Sequence, residues 1–254
     1  MLALPAPVAE ALALPGLWVL GLAALMAGLV RGFAGFGSGL VYMPIAGAVL
    51  PPAQAVAVLV LMDLLGPLAN LPGALRTGTP REIGLLALGM LPGLPLGVAA
   101  LFLVPPEAFR WTVSLIALAT VAALVAGWRW HGPRGRGATI TTGFLSGLVG
   151  GATALPGPPV ILYYMASPVP VAQVRANLTM FLVMVDLGLA VVLGLSGQLG
   201  WTLATVSLML LVPFSLANGL GSALFRPDRA GMYKVLAWVL IAASAIAGLP
   251  FWKG

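Results

Sequence analysis

Six runs of this chain, near residues 54–73, 83–104, 111–128, 175–196, 201–224 and 235–251, are predominantly apolar. Each is about as long as the 18 or so residues that mark a candidate helical span of a bilayer. Hydrocarbon offers no water to backbone N–H and C=O groups, so a spanning segment must close its own hydrogen bonds, as an α-helix does. The expected fold is therefore an all-α polytopic membrane protein. Composition agrees: 61% of the 254 residues are hydrophobic and 7% charged, where a soluble domain carries roughly a quarter.

Four shorter apolar runs, roughly 17–31, 37–50, 138–149 and 157–167, flank two stretches rich in glycine and proline. Gly28 to Pro44 reads GLVRGFAGFGSGLVYMP and Gly143 to Pro159 reads GFLSGLVGGATALPGPP. Identical residues fall at Gly28/Gly143, Gly32/Gly147, Gly35/Gly150, Leu40/Leu155 and Pro44/Pro159, and a hydroxyl is kept at Ser38/Thr153. After a four-residue slip Pro51, Ala53 and Gln54 meet Pro170, Ala172 and Gln173, and Leu101-Phe102 meets Leu224-Phe225. The chain reads as one domain, 1–254, made of two diverged copies, about 17–128 and 138–251, each of a size usual for transporter repeats. Glycine and proline break helices, and a break at membrane depth is tolerated only where protein buries it or a watery cavity bathes it. The paired motif therefore marks a site.

The net charge of +6 records topology rather than affinity for nucleic acid. The loop Arg129 to Arg136 carries three arginines and belongs in the cytoplasm by the positive-inside rule. Alternation then puts Arg76 and Arg81 inside, Glu107 and Arg110 outside, the uncharged Gly197 to Gly200 loop outside, and Arg226, Arg229 and Lys234 inside. Equivalent loops of the two halves fall on opposite sides, so the repeats are expected to be inverted. That requires an odd number of crossings per half: five helical elements each, the reading adopted, or three if the short runs pair as re-entrant hairpins. Both termini come out periplasmic at an inner membrane, and the start, without a basic n-region or a clean cleavage site, does not read as a removable signal peptide.

Within the apolar segments stand four charged side chains, Arg31, Asp63, Arg175 and Asp186, each needing a partner or a cavity there. A guanidinium is a planar fork of donors suited to carboxylate, sulfonate or phosphate, so Arg31 and Arg175 are candidate anion ligands; snorkelling or pairing with an aspartate is the alternative. Broken helices add free N–H groups and the positive end of a helix dipole. This brings in Gly35, Gly37, Ser38 and Gly39 at the first motif and Gly150, Gly151, Thr153 and Gly157 at the second, with tight helix packing by the leading glycines as a second role. Gln54, Gln173 and Asn177 are amides able to reach substrate near the midplane or to bond between helices. Asp63 and Asp186 do not align between the repeats and read as counterions or proton carriers.

The sequence has no cysteine and one histidine, His131, which excludes thiolate ligands and leaves no metal site. It has no HExxH, no Gly-x-Ser-x-Gly elbow and no P-loop, so neither an enzyme nor an ATP-driven pump is expected, and no cofactor is implied. A carrier and a passive anion channel both fit these residues.

GLVRGFAGFGSGLVYMPIAGAVLPPAQAVAV in the first half and GFLSGLVGGATALPGPPVILYYMASPVPVAQVRANLTMF in the second resemble the TauE/SafE sulfite exporter family over essentially the whole chain. The resemblance implies a secondary carrier of small sulfur-containing anions, such as sulfite, sulfoacetate or other organosulfonates, with the bilayer as its other partner. Phe36 and Ser38, and the stretch Ala154-Leu155-Pro156-Gly157, depart from the denser glycine runs of that family and imply a reshaped pocket.

Overall fold

The structure, a computed structural model, describes residues 5–65, 71–128, 132, 135–165, 169–224 and 230–252. Among them are twelve α-helices and no strand: α1 (Ala6–Leu12), α2 (Leu17–Ala34), α3 (Ser38–Val49), α4 (Pro52–Leu65), α5 (Leu71–Thr77), α6 (Pro80–Leu103), α7 (Pro106–Val125), α8 (Arg136–Thr153), α9 (Gly157–Met165), α10 (Val171–Leu195), α11 (Trp201–Leu224) and α12 (Ala230–Gly248). Six are long and apolar enough to cross a membrane, within α2, α6, α7, α10, α11 and α12. The expected all-α membrane fold is what the chain adopts. The loop residues Arg129, His131, Arg134, Arg226 and Arg229 lie outside the described residues.

Helix lengths correct one expectation. In the run near 54–73 the structure describes α4 up to Leu65 and α5 from Leu71. The run near 175–196 lies in α10, a helix of 25 residues. The run expected at 17–31 is longer than read, an 18-residue helix reaching Ala34. By contrast α3, with 12 residues, and α9, with 9, stay short. At 1.5 Å per residue α3 reaches about 18 Å, well under the roughly 30 Å of hydrocarbon, so α2–α3 and α8–α9 are broken pairs.

The first helix of each half packs against a long helix of the other, α2 on α11 and α8 on α6. Gly89, Gly93 and Gly97 of α6 meet Gly143, Gly147 and Gly151 of α8 so closely that a Cβ at any of them would collide with backbone across the interface, the carbonyl of Ile140, Phe144, Leu148, Leu86, Met90 or Leu94. Lipid tails are as apolar as leucine, so helix association in a bilayer relies on this kind of close approach rather than on burial from water. Gly28 and Gly32 of α2 meet the carbonyls of Phe214 and Asn218 on α11 in the same way.

Gly28 and Gly32 face Phe214 and Asn218, while Gly147 and Gly151 face Met90 and Leu94. α2 and α8 are closed by Gly35 and Ala154 respectively, so Gly28 and Gly147 stand at the same distance from the residue that closes their helix.

Outward faces are apolar. Leu208, Val212, Leu216 and Leu220 form an exposed stripe along α11 at the four-residue spacing of one helix face, opposite Leu210, Phe214 and Ala217, which are buried. In water such a stripe would be a liability; in a bilayer it is the lipid contact.

Candidate functional site

Each broken pair turns through left-handed backbone. Gly35 (φ +79°) closes α2, its N–H donating to the Arg31 carbonyl at 2.7 Å, and Gly37 (φ +93°) leads into α3. In the second half Ala154 (φ +55°) takes the closing place, its N–H donating to the Gly150 carbonyl at 2.7 Å. Glycine adopts this conformation freely and alanine at a cost of about 1–2 kcal/mol. Ser146, which donates its hydroxyl to the Pro156 carbonyl, helps hold that strained turn. The two breaks touch: a Cβ on Gly39 would sit 2.9 Å from the Ala154 oxygen.

Around the first break Arg31, Ser38 and Asp63 form a closed triad. Arg31 Nη1 donates to Ser38 Oγ at 3.0 Å and lies 2.5 Å from Asp63 Oδ2; Ser38 Oγ donates to the same Oδ2 at 2.6 Å. Arg31 is 5% and Asp63 7% exposed, so the pair replaces water for both charges. Asp63 Oδ1 has no hydrogen-bond partner among the described residues.

Two cavities adjoin these residues. The larger, about 370 Å³, is lined by Arg31 and Gly35 at the first break, by Arg175 and Thr179 on α10, and by Asn218 and Ser222 on α11. Arg175 packs directly on Gly35, where a Cβ would fall 2.6 Å from its Nε. The smaller, about 30 Å³, lies between the breaks and is lined by Gly37, Ser38, Asp63, Ala154, Gly157 and Asp186 among others. Two guanidiniums, hydroxyls and an amide around one space are equipped to bind an oxyanion.

A family model described as sulfite exporter TauE/SafE matches residues 20–247, nearly the whole chain. The chain belongs to that family. It is an integral membrane protein of a transporter family. No curated protein and no solved structure matches it.

The TauE/SafE chain brings together part of the residue set singled out from sequence. Arg31, Gly35 and Arg175 share the larger cavity, and Gly37, Ser38, Gly39, Gly157, Asp63 and Asp186 share the smaller. The others line neither. Gly151 packs against the Leu94 carbonyl and Gly150 against Pro156. Thr153 donates its hydroxyl to the Val149 carbonyl at 2.6 Å. Gln54 is half-buried near the start of α4. Gln173 donates to the Thr79 hydroxyl; Asn177 accepts from the Thr79 N–H at 2.8 Å and donates to Glu82 Oε2 at 3.2 Å and Tyr164 Oη at 3.1 Å. That network pins the start of α6 to α9 and α10.

The sequence reading did not assign Thr179, Asn218 and Ser222 to the site. Asn218 was visible as an amide in an apolar span, but the wall it joins is made by helices far apart in the chain. Arg110, read as a loop residue, is buried and donates to the carbonyls of Gly248 and Leu249 at 3.1 Å each. It closes the C-terminal end of α12, where unpaired carbonyls and the negative end of the dipole both favour a cation.

Proposed function

We propose that this chain is a secondary transporter of small sulfur-containing anions, sulfite or organosulfonates such as sulfoacetate, in the bacterial inner membrane. The observation that carries this reading is that Arg31 and Arg175, drawn from opposite halves of the chain, line one cavity of about 370 Å³ beside the broken helices. That volume lies within the range of small-ligand sites, and two guanidinium forks match the several oxygens of a sulfonate.

The reciprocal packing of α2 on α11 and α8 on α6 supports two inverted repeats, and alternating access would rock one against the other about the breaks. The lining residues Thr77 and Ser222 belong to helix ends that run into the basic loops around Arg81 and Arg226. Under the positive-inside rule this cavity faces the cytoplasm and both termini the periplasm.

The test is Arg175→Gln, checked for folding, in a thermal-shift titration with sulfoacetate and sulfite, where a ligand of the folded state raises the melting temperature. The wild-type protein should respond to at least one of them and not to a matched carboxylate, and the variant should lose most of the response. An unchanged response in the variant refutes the role given to Arg175. Saturable counterflow in liposomes should accompany binding; flux without trans-stimulation would make the protein a channel.

A further inference from the structure

The smaller chamber is too small for a sulfonate, yet it is walled by two carboxylates, Asp63 and Asp186, at the point where the two breaks meet. The donors around it are unevenly shared. Asp63 Oδ2 receives both Arg31 and the Ser38 hydroxyl, while Asp63 Oδ1 is shut from solvent with no partner among the described residues. Asp186 is 7% exposed, and no donor among the described residues hydrogen-bonds to it. A buried carboxylate without a donor, facing a second carboxylate, is costly when ionised. With all three groups ionised, Arg31, Asp63 and Asp186 carry one net negative charge, which one proton cancels.

The groups around α10 leave that proton to the carboxylate pair. Asp63 comes from α4. On α6 and α9, Glu82 and Tyr164 are held by Asn177, more than two helical turns from Asp186, and Tyr163 bonds Thr139. Arg76 on α5, Arg81 on α6 and Arg136 on α8 are exposed, and Arg175 on α10 itself lines the other cavity.

We propose that Asp186 and Asp63 hold one coupling proton in this chamber, and that Arg31 links it to the anion in the larger cavity. The proton sits on Asp186 and is donated toward Asp63 Oδ1, directly or across one water, for which about 30 Å³ suffices. Arg31 is the shared element: it lines the anion cavity and pairs with Asp63. An anion drawn to Arg31 competes with Asp63 for the guanidinium, so the carboxylate pair holds its proton more tightly; by reciprocity the proton tightens anion binding. The proton is taken from water on anion binding and returned on release, with no bond made or broken in the anion. This rests on the transport reading above and adds to it a one-to-one coupling with H⁺.

The experiment is calorimetric titration of the purified wild-type protein with sulfoacetate, fully ionised from pH 6 to 9, in buffers of differing ionisation heat. The expected result is uptake of close to one proton per anion, with Kd rising toward about tenfold per pH unit on the alkaline side. Asp186→Asn should bind with an affinity that no longer changes with pH and with proton uptake near zero. Binding without proton uptake by the wild type overturns the proposal, as does pH dependence that survives Asp186→Asn, or affinity set by Na⁺ at fixed pH. If the variant does not fold, the wild-type proton count decides alone. Failure of the wild type to bind sulfoacetate or sulfite at any pH overturns the anion reading itself, a distinct result.

Discussion

Asp63→Ala is expected to be among the most damaging single substitutions in the membrane core. It removes the carboxylate that lies 2.5 Å from Arg31 and accepts Ser38 at 2.6 Å, leaving a guanidinium that is 5% exposed without its countercharge. Removing one partner of a buried pair costs about 3–5 kcal/mol, whereas removing both for apolar groups is often neutral. A chain of this size shifts its melting temperature by about 2–4 °C per kcal/mol, so Asp63→Ala should lower it by roughly 6–20 °C. The assay is thermal unfolding of purified protein in detergent, followed by tryptophan fluorescence, in a double-mutant cycle with Arg31→Met. The double variant should recover most of the loss, so that its effect falls well below the sum of the two single effects. Asp186 borders the same chamber and is a second carboxylate near the orphaned arginine, so the cycle is repeated with Asp186→Asn, where the penalty should be fully expressed. A fall of less than about 2 °C in that background, or simple additivity of the two single effects, would refute the buried clamp.

Gly93→Ala places a methyl against the Phe144 carbonyl and should cost about 1–3 kcal/mol through forced separation of α6 and α8. Gly73→Ala on α5, where nothing lies within 4 Å of the new methyl, should instead stabilise by about 0.5–1 kcal/mol; the same unfolding assay reads both, and equal effects would contradict the packing described. Asn177→Leu leaves the Thr79 N–H, Glu82 and Tyr164 without their shared partner and should cost about 1–3 kcal/mol. Sulfoacetate affinity should change by less than about threefold; a larger loss would make Asn177 a ligand rather than a brace.

The site was half legible. Arg31, Arg175, Asp63 and Asp186 stood out because an ionisable side chain in an apolar run must be paired or placed in a cavity, and all four border the two cavities. Gly35 was legible as a break, and the left-handed turn there needs it. Gln173 and Asn177 were not separable from substrate ligands, because an amide in a span serves helix packing and binding with the same donors. The strained turn at Ala154 had no signal, since alanine ordinarily argues for a helix.

By itself the sequence determined the solvent and the element type: runs this long and this apolar belong in hydrocarbon, and there the backbone must become helical. It also marked where the helices break. Tertiary structure decided the partners. Which glycine meets which carbonyl, which of two aspartates receives Arg31, and which polar residues share a cavity depend on contacts between helices distant in the chain. A pattern repeating at every helical turn carries no information that distinguishes one such contact from the next.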